Sequence, residues 1–312
     1  MLKLPDSWIW DSWYAFDGEK HHAFYLKASK GLGNADRRHR YTSVGHAVSA
    51  DLTNWTVLPD ALAPSDSPAF DSWTTWTGSI VRSDDGTWWM FYTGSSREDG
   101  GDIQRIGAAT STDLMVWNKL SPDALVETDP RWYETLEYTA WHDQAWRDPW
   151  VFRHENSWHM LITSRLKDGD KATRGTIGHA ISDDLKHWTV QPPLTGPVTG
   201  FGHLEVFQVE QVDGKWVLLW CCGPGQASAE LQEKYPSGGV FSAVGDSPTG
   251  PFDFDNVVWF PKEDLYAARL VNHKGSWNLI GFINGPADNF PGWICDPILV
   301  EVIDGGIRPR KN

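Results

Sequence analysis

The strongest constraint on this chain is an internal repeat. Five segments share a polar or Gly-containing turn followed by residues of period two. They are FDGEKHHAFYLKA from Phe16, DDGTWWMFYTGSS from Asp84, RHENSWHMLITSR from Arg153, EQVDGKWVLLWCCG from Glu210 and NHKGSWNLIGFING from Asn272. Alternation on either side of a tight turn is the pattern of a β-hairpin. A second unit follows the first at a distance: GHAVSADLTNWTVL from Gly45, GAATSTDLMVWNKL from Gly107 and GHAISDDLKHWTVQ from Gly178. FSAVGDSPTGPFDF from Phe241 is a degenerate copy, and the fifth hairpin has no clear partner copy. Five units spaced roughly 60–70 residues apart, each supplying about four strands, predict an all-β fold. The expected form is a five-bladed β-propeller of four-stranded antiparallel blades. A β-sandwich suits five copies in register less well. The spacing leaves no linker, so residues 1–312 are expected to form one domain with no C-terminal β-sandwich. The one helical candidate is ASAELQEKY from Ala227.

Composition narrows the function. The chain has 312 residues and a formal net charge of -14, which argues against a general affinity for nucleic acid or an anionic membrane. The three cysteines, two of them adjacent, do not make a disulfide framework. The first residues lack an apolar secretory run, and no stretch approaches the roughly 18 apolar residues of a membrane span. A cytoplasmic location is therefore expected. There is no Gly-rich phosphate loop and no clustered Cys/His set, so neither a cofactor nor a metal is expected. His21–His22 reads as a surface pair. The 20 Trp are far more than usual. Most recur at repeat positions and read as structural, but aromatic faces also stack on sugar rings.

Chemistry is expected on the innermost strands, which precede each hairpin turn and line the axis. Three carry a carboxylate: WIWDSW with Asp11, AWRDPWVF with Arg147 and Asp148, and FGHLEVFQV with Glu205. The other two are WTTWTGSIV, with Trp76 and Ser79, and LYAARLV, with Tyr266 and Arg269. Each carboxylate has a structural reading by itself: Asp11 capping a turn, Asp148 paired with Arg147, Glu205 held within the strand. Their equivalence in the repeat argues instead for convergence on one axis. Three converging carboxylates repel, so at least one should bind its proton more tightly, as acid/base chemistry needs.

These segments resemble glycoside hydrolase family 32, the invertases and fructofuranosidases, with features of the levansucrases of family 68. PDSWIWDSWYAFDGEKHHAFYL is similar to the first-blade segment, and the WDSW of Trp10 to Trp13 to its levansucrase form. GHAVSADLTNWTVLPDAL, WTGS at Trp76 to Ser79, RDP at Arg147 to Pro149, LYAARL and LVEVIDGGIRP follow in the family's order. The chain departs at Trp10 and Ser12, where Asn and Pro are usual, and at Val206 and Phe207, where Cys and Pro are usual. The resemblance implies a retaining β-fructofuranosidase, with fructosyl transfer open to it. It implies Asp11 as nucleophile, Glu205 as acid/base, and Asp148 and Arg147 as stabilisers of the transition state. Trp10, Trp13, Trp76, Ser79 and Tyr266 would shape the sugar subsite, and the partner would be a fructose-containing oligosaccharide or another furanoside.

Two alternatives remain. One is an inverting arabinofuranosidase or β-xylosidase of the family 43 type. The other is a non-catalytic carbohydrate-binding propeller, against which the intact carboxylate set speaks. A retaining enzyme implies about 5–5.5 Å between Asp11 and Glu205 carboxyls, an inverting one about 6.5–9.5 Å. Glu205, sharing its funnel with two Asp residues, is the carboxyl expected to be raised.

Overall fold

The computed structural model describes residues 1–138, 141–196 and 200–311. Among these described residues, twenty strands form five antiparallel sheets, each of four strands taken in chain order from the axis outward. The innermost strands are Ser7–Phe16, Thr74–Arg82, Arg147–His154, Glu205–Val212 and Leu265–His273. Each packs on the next, and the fifth packs on the first, so the ring is closed. This is the five-bladed propeller expected from the repeat.

Closure uses both ends of the described chain. Leu2 pairs with Ile294 of blade five through two backbone hydrogen bonds of 3.0 Å. The fifth blade takes its last two strands, Ile298–Ile303 and Gly306–Pro309, from Ile298 and the LVEVIDGGIRP that follows it. That hairpin stands where no second-type repeat was legible. The turn residues explain several reversals. Asp213–Gly214, Lys274–Gly275 and Asp304–Gly305 all have positive φ at both positions, the geometry of two-residue hairpin turns. The helical candidate forms one turn and a half, Ala229–Lys234, capped by Ser228.

The core lies between blades. Phe91, Ile106, Trp146 and Met160 fill the gap between blades two and three, and Leu161, Phe207, Trp220 and Phe241 the next. Cys221, Cys222 and Cys295 are free and buried. The histidine pair is not on the surface. His21 and His22 are both buried, hydrogen-bonded to His273 and His46 at 2.9 Å each. Alternation along the strand did not reveal this, because both faces are covered by neighbouring blades: His273 of blade five meets His21, and Trp117 of blade two packs on Phe24 beside His22.

Every innermost strand carries a β-bulge. The register slips by one residue between Ile9 and Ser12, Trp76 and Gly78, Arg147 and Trp150, Glu205 and Gln208, and Tyr266 and Arg269. A bulge re-aims side chains and frees backbone N–H groups from the ladder. Asp148, Val206 and Ala267 have φ of 58°, 58° and 44°, a conformation costly to residues other than glycine. The neighbouring blade satisfies the freed groups. Thr93 Oγ1 accepts from Asp148 N at 2.9 Å, and Thr163 Oγ1 accepts from Val206 N at 3.2 Å. Cys221 takes the same place for the N–H groups of Ala267 and Ala268.

Candidate active site

The five bulges open onto one cavity of about 500 Å³ on the axis. Asp11, Asp148 and Glu205 all line it, as do Trp10, Trp76, Arg147 and Tyr266. Two expected subsite residues do not. Trp13 is fully buried in the core, because two positions along a bulged strand no longer share a face with Asp11. Ser79 is also fully buried, and its Oγ accepts from Val151 N at 3.0 Å, bracing blade three.

The donors around each carboxylate differ. The Thr77 hydroxyl donates to Asp11 Oδ2. Thr77 is the extra residue of the blade-two bulge, so the bulge is what aims it. The Gly78 that follows is required: a Cβ there would lie 2.1 Å from the Phe91 carbonyl oxygen. Asp148 accepts from Thr163 Oγ1 at 2.9 Å and has Arg147 Nε 3.5 Å away. Glu205 is the most heavily supplied. Arg147 Nη2 donates to its Oε1 at 2.5 Å, Tyr266 OH donates to its Oε2 at 2.5 Å, and His203 Nδ1 lies 3.3 Å from Oε1.

These surroundings set the protonation pattern. Burial raises the Asp11 carboxyl above its ordinary value, opposed by the Thr77 hydrogen bond and reinforced by the Glu205 charge. Burial pushes Asp148 up to about 7, against the pull of Arg147. Glu205 goes the other way. Burial alone would raise it, but His203, the Arg147 guanidinium and the Tyr266 hydroxyl together hold it well below the usual carboxylate range. The expectation that Glu205 is the raised carboxyl is therefore corrected. It counted the repulsion of two aspartates and missed three donors on the same group. Between the three, the protons favour the aspartates.

Several cavity residues were not read from the sequence. Arg38, His39 and Arg40 enter from a 3-10 turn, Ala35–Arg40, that crosses from blade one. Trp76 Nε1 donates to the His39 carbonyl at 2.8 Å, and Arg40 donates to the Gly101 carbonyl at 2.9 Å, fixing this strap to blade two. The run ADRRHR is dense in cations for so acidic a chain, which is a signal that could have found it. His203 and Thr77 lay inside FGHLEVF and WTGS without being singled out. Among the described residues no group of three or more His, Cys, Asp or Glu side chains is arranged to hold a metal ion.

Fold and cavity together define a five-bladed propeller with an acidic, aromatic-walled axial funnel. The model of the glycosyl hydrolases family 32 N-terminal domain matches residues 11–295, and the chain belongs to that family. This decides between the two enzyme families weighed from the sequence. Sucrose-6-phosphate hydrolase of Bacillus subtilis is 33% identical over 164 residues, covering 52% of this chain and 30% of that protein. The 6(G)-fructosyltransferase of Asparagus officinalis is 38% identical over 282 residues, covering 80% of this chain and 44% of that protein. The chain thus spans less than half the length of these relatives. Among solved structures, the inulosucrase of Halalkalicoccus jeotgali bound to kestose superposes with a TM-score of 0.79 at 20% identity, over 99% of this chain and 90% of that one. That likeness speaks for the fold.

Proposed function

We propose that the protein hydrolyses β-fructofuranosides by a retaining double displacement and is open to fructosyl transfer. The observation that carries this is the convergence of Asp11, Asp148 and Glu205 on one cavity with unequal proton affinities. Family membership and the relatives' names supply the substrate class. In this reading Asp11 attacks the anomeric carbon and forms a covalent fructosyl-enzyme. Glu205 gives a proton to the leaving oxygen, then takes one from the incoming water or sugar hydroxyl. Asp148 and Arg147 hold ring hydroxyls and steady the oxocarbenium-like transition state. Trp10 and Trp76 form the walls against which the ring stacks.

The protonation pattern adds a requirement. Glu205 must gain a proton before it can act as an acid. A substrate hydroxyl that draws Arg147 or Tyr266 away from the carboxylate removes what holds its proton affinity down. Substrate binding therefore transfers the site's proton from an aspartate to Glu205. We also propose a reducing compartment, the cytoplasm, which three free buried thiols suit.

The test is a panel of sucrose, 1-kestose, inulin and levan fragments beside aryl arabinofuranosides and xylosides. NMR during early turnover reads the anomer first released. Release of β-fructofuranose supports the proposal. An inverted anomer, or turnover of arabinofuranosides or xylosides alone, overturns it.

A further inference from the structure

Arg269 has no part in the chemistry above, yet it is 1% exposed and sits on the axis just past the bulge of blade five. Its guanidinium reaches three other blades. Nη1 donates to the carbonyls of Phe207 and Val206 in the blade-four bulge, the second at 3.3 Å. Nη2 donates to the Gly78 carbonyl in the blade-two bulge at 3.3 Å. Its carbon lies 5.1 Å from the centre of the Trp150 ring of blade three. Arg269 does not line the main cavity. It lines a second one of about 220 Å³ with Tyr14, Trp150 and Glu210, so a sugar in the funnel does not touch it.

A buried guanidinium is expensive unless charge or dipoles compensate it. Here Nε has no partner, and among the described residues Arg269 forms no ion pair. What faces it is a ring of bulge carbonyls and, farther off, Asp148, Asp11, Cys221 and Tyr14, with Glu210 on the other side. Asp11 is in turn faced by Thr77, Glu205, Arg38 and Arg269. Attraction between separated charges is reciprocal. Burial lowers Arg269 to about 10, against the opposing pull of Asp148 and Asp11, and it stays charged at neutral pH.

We propose that Arg269 is a positioning residue, an axial cation that ties the bulges of blades two and four and favours the ionised form of the aspartates above it. The bulges it holds carry Thr77, the donor to Asp11, and follow directly on Glu205. The kinetic consequence rests on the proposed role of Asp11 as nucleophile, whereas the electrostatic one does not.

The experiment therefore reads protonation directly. Carboxyl carbons are followed by NMR across pH in the wild type, Arg269→Gln and Arg269→Lys, with Asp11 and Asp148 assigned through Asp11→Asn and Asp148→Asn. R269Q is expected to raise the Asp11 titration by about one unit. The acid limb of kcat/KM should rise with it. R269K keeps the charge and should leave the titration near the wild-type value while kcat falls, because fewer carbonyls are held. A titration in R269Q that matches the wild type overturns the proposal. If R269Q does not fold, R269K carries the test, and a titration displaced as far as a lost charge would give overturns it. Failure of every sugar to turn over would sink the functional reading and leave the titration result standing.

Discussion

Two sets of aspartates in this molecule show what position does to one side chain. The first set lies in the repeated Ser-x-Asp-Leu-x-x-Trp turns at the outer edge. Asp51, Asp113 and Asp184 each accept two backbone N–H groups from residues two and three positions on, at 2.7–3.0 Å. The Trp of each turn donates to the Leu carbonyl at 3.0–3.1 Å, and that buried Leu has a φ of 63–66°. Hydrogen bonds hold all three carboxyls below their ordinary value. The second set, Asp11 and Asp148, lies on the axis, and burial holds both above it. An exposed carboxylate with local donors strengthens the fold. A buried one of raised proton affinity weakens it at neutral pH and leaves a group able to react.

The largest test of this contrast is Asp11→Asn. An amide cannot form the covalent ester, so kcat on a fructoside should fall by about 10⁴-fold or more. The circular dichroism spectrum should not change. A variant that keeps a tenth of the activity would move Asp11 out of the chemistry.

Next comes the odd carboxyl of the axis. Tyr266→Phe removes one donor from Glu205, whose proton affinity should rise. The basic limb of kcat/KM, which reports the free enzyme and the loss of the Glu205 proton, should move up by about one unit. A limb that stayed in place or moved down would show that Tyr266 does not hold the carboxylate.

Stability separates the two sets. The folded-state value of Asp148, about 7, lies above the ordinary value of 3.8, so the native state binds the extra proton between them. Stability from this group therefore declines as pH rises from about 4 through 7, and the full penalty applies above that. Asp148→Asn should remove the penalty, raising Tm at pH 8 by about 2–4 °C and leaving it unchanged at pH 3.5. An equal rise at both values would point to packing instead of charge.

The smallest effect belongs to the rim. Asp184→Ala should lower Tm at pH 7 by about 2–4 °C, as loss of a cap does, with kcat/KM unchanged. The lowered carboxyl contributes above its unfolded value and stops contributing as pH falls through its folded one. The Tm difference between variant and wild type should therefore shrink in acid. A change in kcat/KM would break the separation of rim from axis.

The rim was fully legible in the sequence. Every bond of the Ser-x-Asp-Leu-x-x-Trp turn closes within four residues, so its three copies stand out in the string of letters. The hairpins are legible for the same reason, and counting them yields the blades. The three carboxylates could be picked out because each lies on an innermost strand, but the expected equivalence is corrected: Glu205 is the paired residue before its bulge, Asp148 the first bulge residue and Asp11 the second, and only the bulges bring them together. The bulges were not legible, since they are slips between paired strands and leave no mark on either strand alone. Trp13 no longer shares a face with Asp11 because of that slip, and Thr77 was missed through it; Ser79 was placed in the subsite by the resemblance alone.

The sequence by itself determined the number of blades, the turn chemistry and the strands that carry charge, because these depend on periodicity and on neighbours a few residues away. Only the tertiary structure decided which carboxyl keeps its proton. Glu205 is governed by Arg147, 58 residues before it, and by Tyr266, 61 residues after it. Proton affinity depends on distances and burial at the axis, where all five blades meet, and no local pattern encodes those.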